Sequence, residues 1–169
     1  MQIVKYLMLF LILLSSSLIG RFLSKRYVYR LQELEEIQNC LNIFKSKIKF
    51  TYEPIPEIFK EISLNASKNI SNIFDIAIKN MEKDNANIAW KKSVDECVTN
   101  LNKEDKQVLK TLSKLLGQTD SEGQISQIEI TQNFIDVQIK NAQEEKQKNE
   151  KLYSRLGTTI GLAIVIILF

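Results

Sequence analysis

The sequence predicts an all-α protein, an antiparallel bundle of five to six helices in the cytoplasm flanked by N- and C-terminal transmembrane helices. Three observations predict it. Five glycines and two prolines in 169 residues are too few for a β-rich or loop-rich fold. Apolar residues recur at helical spacing through the middle of the chain. Charge is segregated: residues 6–20 and 156–169 carry none, and all 20 acidic residues lie between Glu33 and Glu150. The expected division is an N-terminal anchor over 1–23, a cytoplasmic helical domain over 24–151 and a C-terminal anchor over 152–169.

The first anchor rests on Gln2–Gly20, which holds one charge, Lys5. Nineteen helical residues reach about 28 Å, close to a hydrocarbon core of about 30 Å. Lys5 can send its ammonium to the interface along its aliphatic stem. A cleaved signal peptide would use Tyr6–Leu14 as its apolar core and Ser15 and Ser17 as its small-residue site. Arg21, Lys25, Arg26 and Arg30 argue against it, because a basic flank is retained in the cytoplasm. At the other end, Lys146, Lys148, Lys151 and Arg155 precede the apolar run Leu156–Phe169. The same rule keeps that flank inside, so both termini are expected on the far side. Gly157 and Gly161 have the spacing that lets membrane helices approach closely, against the first anchor or another protein. An exported or singly anchored helical envelope protein is the alternative.

Between the anchors, Leu31, Leu34, Ile37, Leu41, Phe44 and Ile48 form a heptad-like stripe, and no Gly or Pro interrupts residues 21–50. Residues 51–56 break the chain, and Pro56 suits the first turn of a second helix carrying Ile58, Phe59, Ile62 and Leu64. Asn65–Ser71 reads as a loop. A third helix over 71–83 carries Ile73, Phe74, Ala77, Ile78 and Met81. A fourth carries Ile88, Ala89, Trp90, Val94, Cys97 and Val98. Asn102 is expected to cap a fifth, whose inner face is Val108, Leu109, Leu112, Leu115 and Leu116, with Gly117 ending it. Gln118–Gly123 is the flexible connector. The last helix starts near Gln124 with Ile125, Ile128, Phe134, Ile135, Ile139 and Ala142 inward, then turns polar from Asn141 to Glu150.

The chemistry is marked by what is missing. With no histidine, the serine–histidine and cysteine–histidine pairs and the commonest metal ligand are gone. Two cysteines cannot build a thiolate metal site, and Cys97 reads as a small core residue. No glycine-rich phosphate loop is present. A net charge of +3 is too mild for a nucleic-acid footprint. No enzyme, cofactor, metal or small-molecule substrate is therefore expected. Trp90 is a core residue by default and a partner-binding anchor as the alternative. An adaptor or scaffold held in membrane lipid by two transmembrane anchors is what remains.

Four stretches carry a family likeness. They are Leu116-Gly117-Gln118-x-Asp120-x-x-x-Gln124, the closing run Leu156–Leu168 around Gly157 and Gly161, the pair Ala89-Trp90, and Ile48-x-Phe50-x-x-Glu53-Pro54-Ile55-x-Glu57. In these the chain resembles stage III sporulation protein AB of endospore-forming bacteria, over its whole length. Lys47 and Glu53 depart from the family pattern, where an acidic residue and a small hydroxyl residue are expected. The resemblance implies a non-enzymatic platform subunit of the mother cell–forespore channel, similar to the platform protein of type II secretion and type IV pilus systems. It implies the stage III sporulation protein AA ATPase and the other channel proteins of the same operon as partners, in the mother-cell membrane around the forespore. The expected partner surface is the connector, with Gly117, Gln118, Asp120 and Gln124, and Trp90 is a separate candidate.

Overall fold

The computed structural model describes the backbone of residues 2–168 and the side chains of 6–12, 14–16, 18–20, 22–153 and 155–167. The side chains of Lys5, Ser17 and Arg21, and residue Phe169, which enter the topology argument, lie outside the described residues. The order is α1 (Gln2–Phe50), α2 (Ile55–Asn65), α3 (Lys68–Met81), α4 (Ala86–Glu96), α5 (Lys103–Thr111), a 3-10 turn (Leu112–Lys114) and α6 (Ser121–Leu168). No strand occurs among the described residues. The chain forms two compact units, residues 32–140 and residues 1–31 with 141–169.

In the unit of residues 32–140, the α1 stripe is buried from Leu34 through Ile37, Leu41 and Phe44 to Ile48. α1 ends where Tyr52 takes φ +53°, a left-handed conformation that Glu53 and Pro54 follow. Pro56 sits in the first turn of α2, where a missing N–H costs nothing. Four rings then meet. Phe44 of α1 lies 5.2 Å from Phe59 of α2, Phe59 lies 5.1 Å from Phe74 of α3, and Trp90 of α4 is 5.4 Å from both Phe59 and Phe74. These tilted and edge-to-face pairs suit aromatic quadrupoles. The Trp90 indole donates to the Leu109 carbonyl at 2.8 Å, tying α5 to the cluster.

Several local expectations change. α3 starts at Lys68, so the joint after α2 is shorter than the loop read over 65–71. Glu36 of α1 accepts from both the backbone N–H and the hydroxyl of Ser67, so the α3 cap comes from a distant helix. α4 stops at Glu96: Cys97 is extended but buried, and Val98 is exposed, not inward. Leu64 is exposed at the end of α2. α5 does form the expected Asn102 cap, as a reciprocal box with Asp105, and then tightens into the 3-10 turn, which turns Leu115 outward. α6 begins three residues earlier than Gln124. Its inner edge runs through Ile128, Thr131, Ile135, Gln138 and Ala142, and Phe134 faces out at 48% exposure. Gln127 and Thr131 explain the shift. Gln127 donates to the Thr111 carbonyl at 2.9 Å, and the Thr131 hydroxyl meets that of Thr111 at 3.1 Å, so polar groups hold this face.

In the other unit, α1 and α6 meet through small residues. A methyl group on Gly20 would stand 2.6 Å from the Tyr153 carbonyl oxygen, and one on Gly157 would stand 2.8 Å from that of Ser16. The Ser16 hydroxyl donates to the Gly157 carbonyl at 2.6 Å. Tyr27 stacks on Tyr153 at 5.9 Å, and Arg30 pairs with Glu145 at 2.7 Å. Most large apolar side chains here point outward, among them Leu7, Met8, Phe10, Leu18 and Phe22. Among the described residues one helix is long and apolar enough to cross a membrane, in the stretch Tyr6–Phe50 of α1.

Candidate partner-binding connector

The connector between the 3-10 turn and α6 is built by two local devices. Gly117 takes φ +68°, a conformation that strains any residue with a Cβ. A methyl there would also stand 3.2 Å from Ala86 Cβ and 3.5 Å from Ile55 Cδ1, so the turn rests on the starts of α4 and α2. Asp120 opens α6. Its Oδ1 accepts the Gly123 N–H at 2.9 Å, and its carbonyl accepts the Gln124 N–H at 3.0 Å. An acidic cap also suits the positive end of the helix dipole.

These duties divide the expected site. Gly117 and Asp120 shape the turn. Gln118 is exposed. Gln124 is half-buried; its Nε2 donates to the Thr119 carbonyl at 3.3 Å, and its Oε1 is buried without a partner. Gly117, Gln118 and Asp120 lie on the connector, and Gln124 lies in the first turn of α6. Trp90 does not join them: it is 1% exposed, with its only N–H donated inside the core. A ring packed against Phe59 and Phe74 cannot also anchor a partner, so it leaves the candidate surface. Gly157 lies against Gly20 of the first helix; Gly161 is buried.

Other placements bear on chemistry. Burial pushes the Cys40 thiol up to about 12, and burial also raises that of Cys97. Neither is a nucleophile near neutral pH, because the thiolate is the reactive form. Among the described residues no group of three or more His, Cys, Asp or Glu could hold a metal ion. Glu33 was not singled out by the sequence, yet it is a buried carboxylate accepting from Asn69 at 2.8 Å and twice from Asn100 at 2.7 Å. It fastens α1 to α3 and to the α4–α5 joint. No local pattern announces it, because its partners lie 36 and 67 residues away. The two departures at the α1–α2 corner answer each other. Lys47 pairs with Glu61 at 2.5 Å and with Glu53 at 3.4 Å, and the hydrogen bond to Glu61 raises its pKa.

Against this geometry, the sequence profile of stage III sporulation protein AB matches residues 5–169. The chain belongs to the stage III sporulation protein AB family. Membership assigns it a role in sporulation and implies partners among the other sporulation channel proteins. A solved structure of a stage III sporulation protein AB has the same fold, with a TM-score of 0.62 at 19% identity over 70% of this chain and 96% of the other. Among curated proteins none matches the chain.

Proposed function

We propose that the protein is a non-enzymatic platform subunit of the mother cell–forespore channel. Residues 24–151 form an antiparallel cytoplasmic bundle, and 1–23 and 152–169 cross the mother-cell membrane as a hairpin with both termini on the far side. The partner of the cytoplasmic part is the stage III sporulation protein AA ATPase, met at Gln118 and Gln124 on the connector that Gly117 and Asp120 hold in shape. Force or conformational change passes from the ATPase to the membrane complex, and no bond is made or broken in this subunit.

The observation that carries the reading is the pairing of the chain's two ends through Gly20 and Gly157. Close backbone approach through small residues, with large apolar residues turned outward, is how helices associate where water is absent. The exposed Gln118, carried on a turn that Gly117 and Asp120 hold in shape, supports the connector as the contact surface.

Gln118→Ala with Gln124→Ala should abolish co-purification of the ATPase and sharply lower heat-resistant spore counts, while the melting temperature stays within about a degree. Equal loss of stability and binding would return the connector to a purely structural role. A protease site inserted after Gln118 should resist impermeant protease in intact cells. Cleavage there would instead establish an exported or singly anchored protein.

A further inference from the structure

The paired ends enclose an apolar groove of about 640 Å³. Leu11, Ile19 and Leu23 of α1 line it with Tyr153, Leu156 and Ile164 of α6. From Leu11 to Leu23 the helix rises about 18 Å. One leaflet of a bilayer is about 15 Å deep, half of its hydrocarbon core. The groove therefore has the reach of one acyl chain. Within three residues of Leu23 and Tyr153 along the chain come Lys25 and Arg26 on α1 and Lys151 and Arg155 on α6, all exposed. Arg30 above them is neutralised by Glu145, whereas among the described residues none of these four has an ion-pair partner. Glu150 is the one acidic residue between positions 146 and 155.

We infer that this groove and its basic mouth form a binding site for one anionic phospholipid of the cytoplasmic leaflet. The acyl chain lies between the helices, and the phosphate meets Lys25, Arg26, Lys151 and Arg155. The inference rests on the membrane-hairpin reading above. Charge decides the occupant. A zwitterionic lipid sets its own ammonium beside the phosphate, whereas the uncompensated phosphate of an anionic lipid is free to meet these cations at the depth where head groups lie. A third protein helix fits less well. It needs small residues for close approach, and of those on the groove wall Gly20 and Gly157 face each other and Ser16 is bonded to Gly157, which leaves Ser15 alone.

The test is native mass spectrometry of the full chain released from nanodiscs of phosphatidylcholine mixed with phosphatidylglycerol. Wild type should retain phosphatidylglycerol in preference to phosphatidylcholine. Removing the charges one at a time (Lys25→Gln, Arg26→Gln, Lys151→Gln, Arg155→Gln) should weaken that preference roughly fivefold for each. Ile19→Trp, which fills the groove and leaves every charge in place, should displace the retained lipid. Equal retention of both lipids by wild type would overturn the site. So would indifference to the charge substitutions, or Ile19→Cys copies that cross-link to one another in the groove. Carbonate extraction of the same membranes separates the two readings. A chain that resists extraction but ignores lipid charge loses only this site. A chain that is washed off loses the hairpin and the site together.

Discussion

Residues 32–140 and the paired ends solve the same problem, holding helices together, with opposite residues at the contact. The first unit places its largest side chains inside: Trp90, Phe44, Phe59, Leu34 and Leu41 are all under 2% exposed. The second places its smallest inside, Gly20 against Gly157, and turns Phe10, Phe22 and Ile166 outward. In water, helix contact is driven by removing apolar area, so bulk belongs at the interface. In a surround as apolar as leucine, that drive vanishes and close backbone approach takes its place. The inversion is what the proposed membrane hairpin requires, in which one chain meets two solvents.

The contrast can be broken first where it is strongest. Trp90→Ala should cost about 3–5 kcal/mol, since it empties the aromatic cluster and removes the indole hydrogen bond to the Leu109 carbonyl. Chemical denaturation of the full chain in detergent should show that loss in the unit of residues 32–140. Glu33→Ala comes next, at about 1–3 kcal/mol, because three donors from Asn69 and Asn100 would be stranded. Glu33→Gln should recover only part of the loss, as its amide repels one of those donors.

The other side of the comparison is sharpened by Gly157→Leu. Overpacking of about 1–3 kcal/mol should part the ends and leave the first unit's transition unmoved. The yield of bis-maleimide cross-linking between Tyr27→Cys and Tyr153→Cys would report it, since those two side chains now meet with ring centroids 5.9 Å apart. An unchanged yield would mean the glycines are incidental. A smaller effect is expected at Asp120. Alanine there should cost about 1 kcal/mol of α6 stability, while asparagine, which keeps the acceptor for the Gly123 N–H, should cost almost nothing.

The smallest effect at neutral pH comes from Cys40. Its folded pKa is raised from 9.0 to about 12, so the folded state keeps its proton where the unfolded state has lost it. That stability is complete below about pH 9 and lost progressively as pH rises toward 12. A Cys40→Ala chain should show a flatter alkaline limb of stability against pH than wild type.

Much of the fold was legible, and the exceptions share a cause. The stripe from Leu31 to Ile48 is periodic over many residues and is buried throughout. Asn102 is a local cap and was readable locally. Phe134 misled because an aromatic beside Ile135 suggests core, and only Gln127 and Thr131, satisfied across the helix pair, set the phase. Glu33 and Glu36 read as solvated positions between apolar ones, yet they bind residues 31 to 67 positions away. Of the connector, Gly117 was legible as the end of a helix. The unpaired oxygen of Gln124 was not, because it is a property of the packed loop. Trp90 showed its type but not its depth.

The pairing of α1 with α6 also sets an order of events. Gln38 bonds Asp136 across 98 residues, and Gln132 bonds Asn42 across 90. At about 5–20 residues per second of synthesis, the strip of α1 that receives α6 waits some 5–20 seconds for its partner to be made. During that interval the nascent chain exposes one apolar edge of its first helix. α6 is made after every other helix described and covers that edge, so a chain truncated before it should be a client for chaperones and proteases.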